Sequence, residues 1–273
     1  MSSPNVFNLG RLREGLKPFR LHFFPKLRST NDHAAALRKR GDLFAPAIVL
    51  AGRQTAGRGR GANTWFSAAG SLTVTFVLPV DETLAAHHLP LAAGLAARNA
   101  AAEIAGNEDV RLKWPNDLVF AASPRSGSPG KPPYPLLKLA GLLCERLDSV
   151  DLIGIGLNVN RPARAIPKGL RDRTICLQQI APGGRPIDLT TTLVVLARQL
   201  HTTLIRRSET PFPALLREYD RHHALVGRVV TVRSPHEPAI TGRCEGLDDA
   251  GRLLLRHRSR VHRVVAGHVE LTR

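Results

Sequence analysis

Cysteine is scarce in this chain of 273 residues: Cys144, Cys176 and Cys244 are the full complement. An odd number without a C-x-x-C pair excludes a disulfide framework and a zinc knuckle, and it fits a reducing compartment. Long apolar runs are missing as well. The N-terminus, MSSPNVFNLGRLREGLKPFRLHFF, has no continuous apolar core of signal-peptide length, and no stretch of about 18 apolar residues occurs anywhere. A cytoplasmic protein that neither spans nor binds a membrane is the expectation. Acidic residues are few, 22 against 39 lysines and arginines, for a formal charge of +17. Such a surplus suits anionic partners: nucleic acid, phosphorylated small molecules or an acidic protein. An Arg- and Ala-rich composition accounts for it equally well, so charge alone decides little. Internal repeats are absent, and too few residues precede Leu21 to hold a helix-turn-helix.

The length allows one large domain and a small one. Residues 1–20 read as a polar, irregular arm. From 21 to 223 strands and helices mix: LHFFPKL as a strand, STNDHAAALRKRG as a helix with Ser29, Thr30 and Asn31 as N-cap candidates, and PAIVLAG and SLTVTFVLP as buried strands. A helix is expected over 83–105 and another over 188–207. VRLKWPNDLVF reads as a strand broken by a turn, LLKLAGLLCERL and VDLIGIGLNVN as successive buried strands. The Pro-, Ser- and Gly-rich run 121–135 reads as a surface insertion, with Lys131 able to touch a partner. Residues 224–273 change texture: five short strands at eight-to-twelve-residue spacing predict a small β-barrel or sandwich.

Between the two buried strands lies GRQTAGRGRGANTWFS, 52–67. Gly57, Gly59 and Gly61 let backbone approach a ligand and turn N–H groups inward, while Arg58 and Arg60 add planar donors for carboxylate or phosphate. Such a loop can order over a ligand and exclude water. It is not a P-loop, because Arg58-Gly59 stands where Lys-Ser/Thr is required. An RG-rich RNA tail would be repetitive, and a solvated loop without a task is the plain alternative. In KWPNDL, Asn116 and Asp117 can serve as turn residues, or Asp117 can bind Mg²⁺ or hold an arginine. Lys138 at the start of KLAGLLCE either snorkels to water or aims at a developing negative charge, with Gly141 leaving room for a ligand. In GIGLNVN, two glycines in a strand call for something close by, and Asn158 and Asn160 share a side.

The order S-T-N, GRQTAGRGRGANTW, KWPNDL, KLAGLLCE, GIGLNVN resembles the biotin protein ligases, over residues 20–273. The resemblance implies an α+β fold: a mixed β-sheet with helices packed on it, of the class II synthetase/biotin ligase-like kind, plus a small C-terminal SH3-like barrel. It implies ATP-dependent activation of biotin to biotinyl-5′-AMP, with Mg²⁺ as activating ion and no tightly bound prosthetic group. The biotin then passes to a lysine of a biotin carboxyl carrier protein or domain of acetyl-CoA carboxylase.

By that resemblance Ser29, Thr30 and Asn31 match the stretch holding the biotin ureido ring and pocket floor. Gln54, Arg58 and Arg60, set among Gly57 and Gly59, match loop positions that contact biotin and phosphates. Trp65 matches the aromatic that closes the loop, and Trp114 the aromatic beside adenine. Asn116 and Asp117 match the turn near phosphates and metal, with Asp117 a position for Mg²⁺. Lys138 matches the lysine between the biotin carboxylate and the α-phosphate, Gly141 lines the pocket, and Asn158 matches an adenine contact. Two positions depart from the family loop: Ala62 replaces a glycine and Asn63 an arginine. The short N-terminus implies a ligase without operator binding.

Alternatives stay open. A lipoate- or octanoate-type ligase or transferase shares the implied fold. A basic nucleic-acid-binding protein would use RHRSRVHR, 256–263, although the C-terminal segment has no aromatics to stack on bases. His222, His223, His257, His262 and His268 lack ligand spacing for zinc. A homodimer through sheet edges stays open too.

Overall fold

Uninterrupted apolar runs such as AIVLA and SLTVTFVLP lack the alternation of a half-exposed strand, so each must be covered on both faces. In the computed structural model, which describes residues 6–121, 135–160, 166–205, 211–234 and 237–272, these runs form the middle of a seven-stranded sheet. Most of the insertion at 121–135, with Lys131, lies outside the described residues.

In chain order the elements begin with α1 (Leu9–Gly15), β1 (Arg20–Phe24), α2 (Thr30–Lys39), β2 (Ala47–Ala51), and the short β3 (Gly57–Arg58) and β4 (Thr64–Trp65). Next come β5 (Ser71–Pro79), α3 (Leu89–Ala105), β6 (Val110–Lys113), β7 (Asp117–Ala121), β8 (Leu136–Leu147) and β9 (Val150–Asn158). Four helices follow: α4 (Lys168–Arg171), α5 (Leu177–Ile180), α6 (Leu189–Leu200) and α7 (Phe212–Arg221). The sheet order is β1-β2-β5-β9-β8-β7-β6. Strands β1 and β2 run parallel, the other neighbours antiparallel.

Alternate residues of β2 enter two different cores. Ile48 and Leu50 join α1, α3 and α6 on one face, whereas Ala47 and Val49 join Ala34 and Leu37 of α2 on the other. The alanines of α3 let that helix sit close to the strands, and Gly106, in the left-handed region at φ 57°, ends it.

Three expectations are corrected. The segment read as a loose arm contains α1, capped by Asn8, whose Oδ1 accepts from Arg11 N at 3.0 Å. Leu12 and Leu16 are buried, and Asn8 N donates to Thr190 Oγ1 at 3.0 Å, so the helix is docked against α6. Helix α3 starts at Leu89 rather than 83, with Pro90 in its first turn, a place where a missing N–H costs nothing. The helix expected to run to 207 is α-helical only to Leu200, and a π-helical turn follows at His201–Ile205.

The five C-terminal strands are β10 (Val229–Ser234), β11 (Glu237–Leu247), β12 (Leu253–His257), β13 (Arg260–Val264) and β14 (His268–Leu271). They form one antiparallel sheet in the order β13-β12-β11-β10-β14. Leu112 N donates to His222 O at 2.8 Å, and Ala224 N to Leu112 O at 2.7 Å, which ties the connection into this sheet to β6. Among the described residues no helix is long and apolar enough to cross a membrane.

Candidate active site

A cleft of about 1640 Å³ is bounded by the start of α2, the glycine-rich loop, β8, β9 and the last strand of the C-terminal sheet. At its α2 side the geometry begins with a cap. Ser29 Oγ accepts from Asp32 N at 3.3 Å, so of three N-cap candidates Ser29 is the cap. Thr30 donates from both N and Oγ1 to Gln54 Oε1, at 2.7 and 3.0 Å. Asn31, 3% exposed, donates from Nδ2 to Leu143 O at 3.1 Å and Glu145 Oε2 at 2.8 Å, and accepts at Oδ1 from Thr75 Oγ1 at 2.6 Å. The amide is therefore fixed in one orientation. The glycines of GIGLNVN make space for this arrangement. A Cβ on Gly154 would lie 2.2 Å from Asn31 Oδ1, and one on Gly156 2.2 Å from Trp65 Cε2. What comes close to β9 is a pocket amide and the loop tryptophan.

The loop is a small hairpin: β3 pairs with β4, and Gly59 N donates to Asn63 O at 2.8 Å. Its two arginines diverge. Arg58 reaches the carboxylates of Asp32 and Glu145, and those hydrogen bonds raise its pKa further. Arg60 donates to Gly267 O at 2.8 Å in the turn between β13 and β14, where burial disfavours its charge. Arg58, which the resemblance assigns to biotin and phosphates, is paired here with two carboxylates of the protein.

Opposite lies a lysine group. Lys138 Nζ is 2.7 Å from Asp117 Oδ1. The β7–β8 register shifts so that Leu118 pairs with Ala140 and Val119 with Lys138, leaving Leu139 as an extra residue. This bulge brings Lys138 onto the side of Gly141, where a Cβ would meet Nζ at 3.0 Å. Gly141 thus clears the path of Lys138. Lys113, at the end of β6, also lines the cleft; burial lowers its pKa, Asp117 opposes that and Lys138 adds to it. Asn116 Nδ2 donates to Leu142 O at 2.7 Å, and Asn158 Nδ2 to Ile175 O at 3.2 Å. Trp114, which the resemblance sets beside adenine, lines the cleft with only 2% of its surface exposed, and its Nε1 donates to Gly251 O at 3.2 Å in the turn between β11 and β12. Asp117, the position that the resemblance gives to magnesium, lines the cleft. That carboxylate is paired with Lys138, so an ion there would have to share it and take its remaining ligands from substrate phosphates and water.

A profile described as the biotin/lipoate A/B protein ligase family matches residues 23–160, slightly more than half of the chain. The chain belongs to that ligase family. A second profile, the biotin protein ligase C-terminal domain, matches residues 225–271. This member of the ligase family is 30% identical over 246 residues to the biotin–[acetyl-CoA-carboxylase] ligase of Mycobacterium tuberculosis, covering 88% of this chain and 85% of that one. It is 28% identical over 237 residues to the bifunctional ligase/repressor BirA of Bacillus subtilis, covering 82% of this chain and 66% of the relative's length. A solved biotin protein ligase from Aquifex aeolicus, in complex with biotin and ATP, is similar with a TM-score of 0.77 and 27% identity, covering 93% of this chain and 99% of that one.

In this ligase-family chain the cleft brings together the residues that the resemblance assigns to biotin and ATP: Ser29, Thr30, Asn31, Gln54, Arg58, Gly59, Arg60, Trp65, Trp114, Asn116, Asp117, Lys138, Gly141 and Asn158 line it, and Gly57 backs Trp65. Sequence reasoning missed Asp32, Thr75, Lys113, Glu145 and the C-terminal wall. Asp32, Lys113 and Glu145 stood inside motifs already in view, STND, KWPND and LLCE, as unexplained charges beside the named residues.

Proposed function

We propose that the protein activates biotin with ATP, giving biotinyl-5′-AMP and pyrophosphate, and then transfers the biotinyl group to a lysine of a biotin carboxyl carrier protein or domain of acetyl-CoA carboxylase. The observation that carries the proposal is one cleft holding both a hydrogen-bonded amide group around Asn31 and a lysine group around Lys138. A ureido ring is a rigid set of donors and acceptors, and an amide locked in place by Thr75 and Glu145 suits its recognition. A carboxylate and a triphosphate are anions, and Lys138 and the half-buried Lys113 suit theirs.

The chemistry follows from these charges. A biotin carboxylate oxygen attacks the α-phosphorus and pyrophosphate leaves with the electron pair of the broken P–O bond. Two anions must meet, so cations have to offset the charge as it builds. Burial of Lys113 is only partly offset by Asp117 and Glu270, and an arriving phosphate would add to that compensation. Lys138, held by Asp117, sits where the carboxylate and α-phosphate are proposed to join. The mixed anhydride then needs protection from water, which the Trp65 hairpin lying on Gly156 can supply. In the second step a neutral carrier amine attacks the acyl carbon and AMP departs, without an enzyme nucleophile.

The C-terminal profile favours biotin over lipoate as the acid. RHRSRVHR is poorly suited to nucleic acid, since Arg256 is spent on Glu245 and Arg263 faces Asp248 at 3.7 Å. ATP–pyrophosphate exchange with biotin, with lipoate or with neither acid tests the proposal. Exchange with biotin alone, lost in Lys138→Ala, is expected. Exchange with lipoate would change the substrate, and silence with both acids would end the proposal.

A further inference from the structure

The arginine that the resemblance assigns to substrate is occupied by the protein itself. Arg58 reaches Asp32, in the first turn of α2, and donates from Nη2 to Glu145 Oε1 at 2.6 Å on β8. Two carboxylates against one guanidinium leave the trio net negative, so an anionic ligand gains little by approaching it. Glu145 divides its oxygens: Oε1 serves Arg58, and Oε2 accepts from Asn31 Nδ2 at 2.8 Å. Three separate elements, the loop, α2 and β8, therefore meet at one side chain of the loop.

The hairpin that carries Arg58 has little else within itself. Its ladder pairs two residues with two, and its tip adds Gly59 N to Asn63 O at 2.8 Å and Asn63 N to Arg60 O at 3.3 Å. A two-stranded ribbon of this size is not stable alone in water. Whatever holds it over the cleft must come from outside the ribbon.

We infer that Asp32 and Glu145 are positioning residues that latch the glycine-rich loop shut through Arg58. The purpose, keeping an acyl-adenylate from water, rests on the ligase reading; the latch itself does not. Arg58, Asp32 and Glu145 side chains are 44%, 51% and 33% exposed, so these ion pairs are open to solvent and salt. Pairs of that kind bias an equilibrium without freezing it, as a loop that must also open requires. Arg60, reaching Gly267 O on the other wall, anchors the same hairpin independently of charge pairing.

Amide exchange at Gly59 and Asn63, without any substrate, tests the latch. Glu145→Gln and Asp32→Asn should each speed exchange there by about threefold, the scale of one half-exposed ion pair, and Arg58→Ala, which removes both pairs, by up to about tenfold. About 0.5 M salt should do the same to the unaltered protein and little to Arg58→Ala. Once Arg58 is gone, adding Glu145→Gln should change nothing further, and amides of β9 should stay protected throughout. Unchanged loop exchange in the single variants overturns the latch. So does an equal effect of Glu145→Gln with and without Arg58, which would make Glu145 a support for Asn31 alone. Pyrophosphate exchange in the same samples reports separately on the ligase reading.

Discussion

Alanine at Gly154 should cost far more stability than alanine at Gly156, two residues along the same strand. At Gly154 the new Cβ would stand 2.2 Å from Asn31 Oδ1 and 2.9 Å from its Cγ. Asn31 is buried and holds hydrogen bonds to Thr75, Leu143 O and Glu145, so it has nowhere to swing. A neutral hydrogen bond contributes about 1 kcal/mol net and one to a carboxylate about 1.5–3 kcal/mol. Displacing the amide therefore costs roughly 3.5–5 kcal/mol by those values. Alanine recovers about 0.5–1 kcal/mol over glycine in a strand. The expected loss is about 2.5–4.5 kcal/mol, read in urea as a lower midpoint at unchanged slope. At Gly156 the obstacle is Trp65 Cε2, also at 2.2 Å, but Trp65 rides on the two-strand hairpin. That hairpin can lift, so global stability should change by less than about 1 kcal/mol, the cost of light surface contacts, while exchange at Gly59 and Asn63 rises. Equal losses at both glycines, or a Gly154→Ala protein as stable as the original, would refute the reasoning.

Three further outcomes are expected. Leu12→Ala should destabilise by about 3 kcal/mol in a urea melt, as for other buried leucines, because α1 is part of the core; no effect would restore the loose arm. Trp114→Phe keeps the ring but strands Gly251 O, at about 1–2 kcal/mol. Lys113 has a pKa lowered by burial, so its folded value lies below its unfolded one, and stability rises as pH climbs through that window toward the ordinary lysine range. Lys113→Met should therefore stabilise the ligand-free protein at neutral pH and gain less near the top of that window, in melts at the two pH values.

How much of this was legible depends on sequence distance. The buried strands, the α2 cap at Ser29 and the KWPND turn are written in residues a few positions apart, and the sheet and the C-terminal strands follow from them. The motif residues converge on one cleft as the order of motifs suggested. What pairs with what was not legible. Arg58 finds Asp32 and Glu145 at separations of 26 and 87 residues, and no local pattern announces either. The side of Lys138 depends on a bulge at Leu139, invisible to a strict period of two. Helix α1 did leave a trace: Asn8 before Leu9, Leu12 and Leu16, a cap followed by a stripe too short to stand out from a polar segment. Nor did any local pattern announce that the Trp114 indole N–H donates to Gly251 O, 137 residues away in the turn between β11 and β12.

The apolar interior has a thermal consequence. Val230, Leu253 and Leu255 of the C-terminal sheet belong to the same buried cluster as Leu112, Trp114 and Leu118 of the large one. The cluster passes from one sheet to the other through buried apolar side chains. The two sheets should then melt as one cooperative unit, with a single calorimetric endotherm rather than two. A protease cut between α7 and β10 would not free two durable pieces: each would carry half of a leucine-lined face with nothing left to cover it.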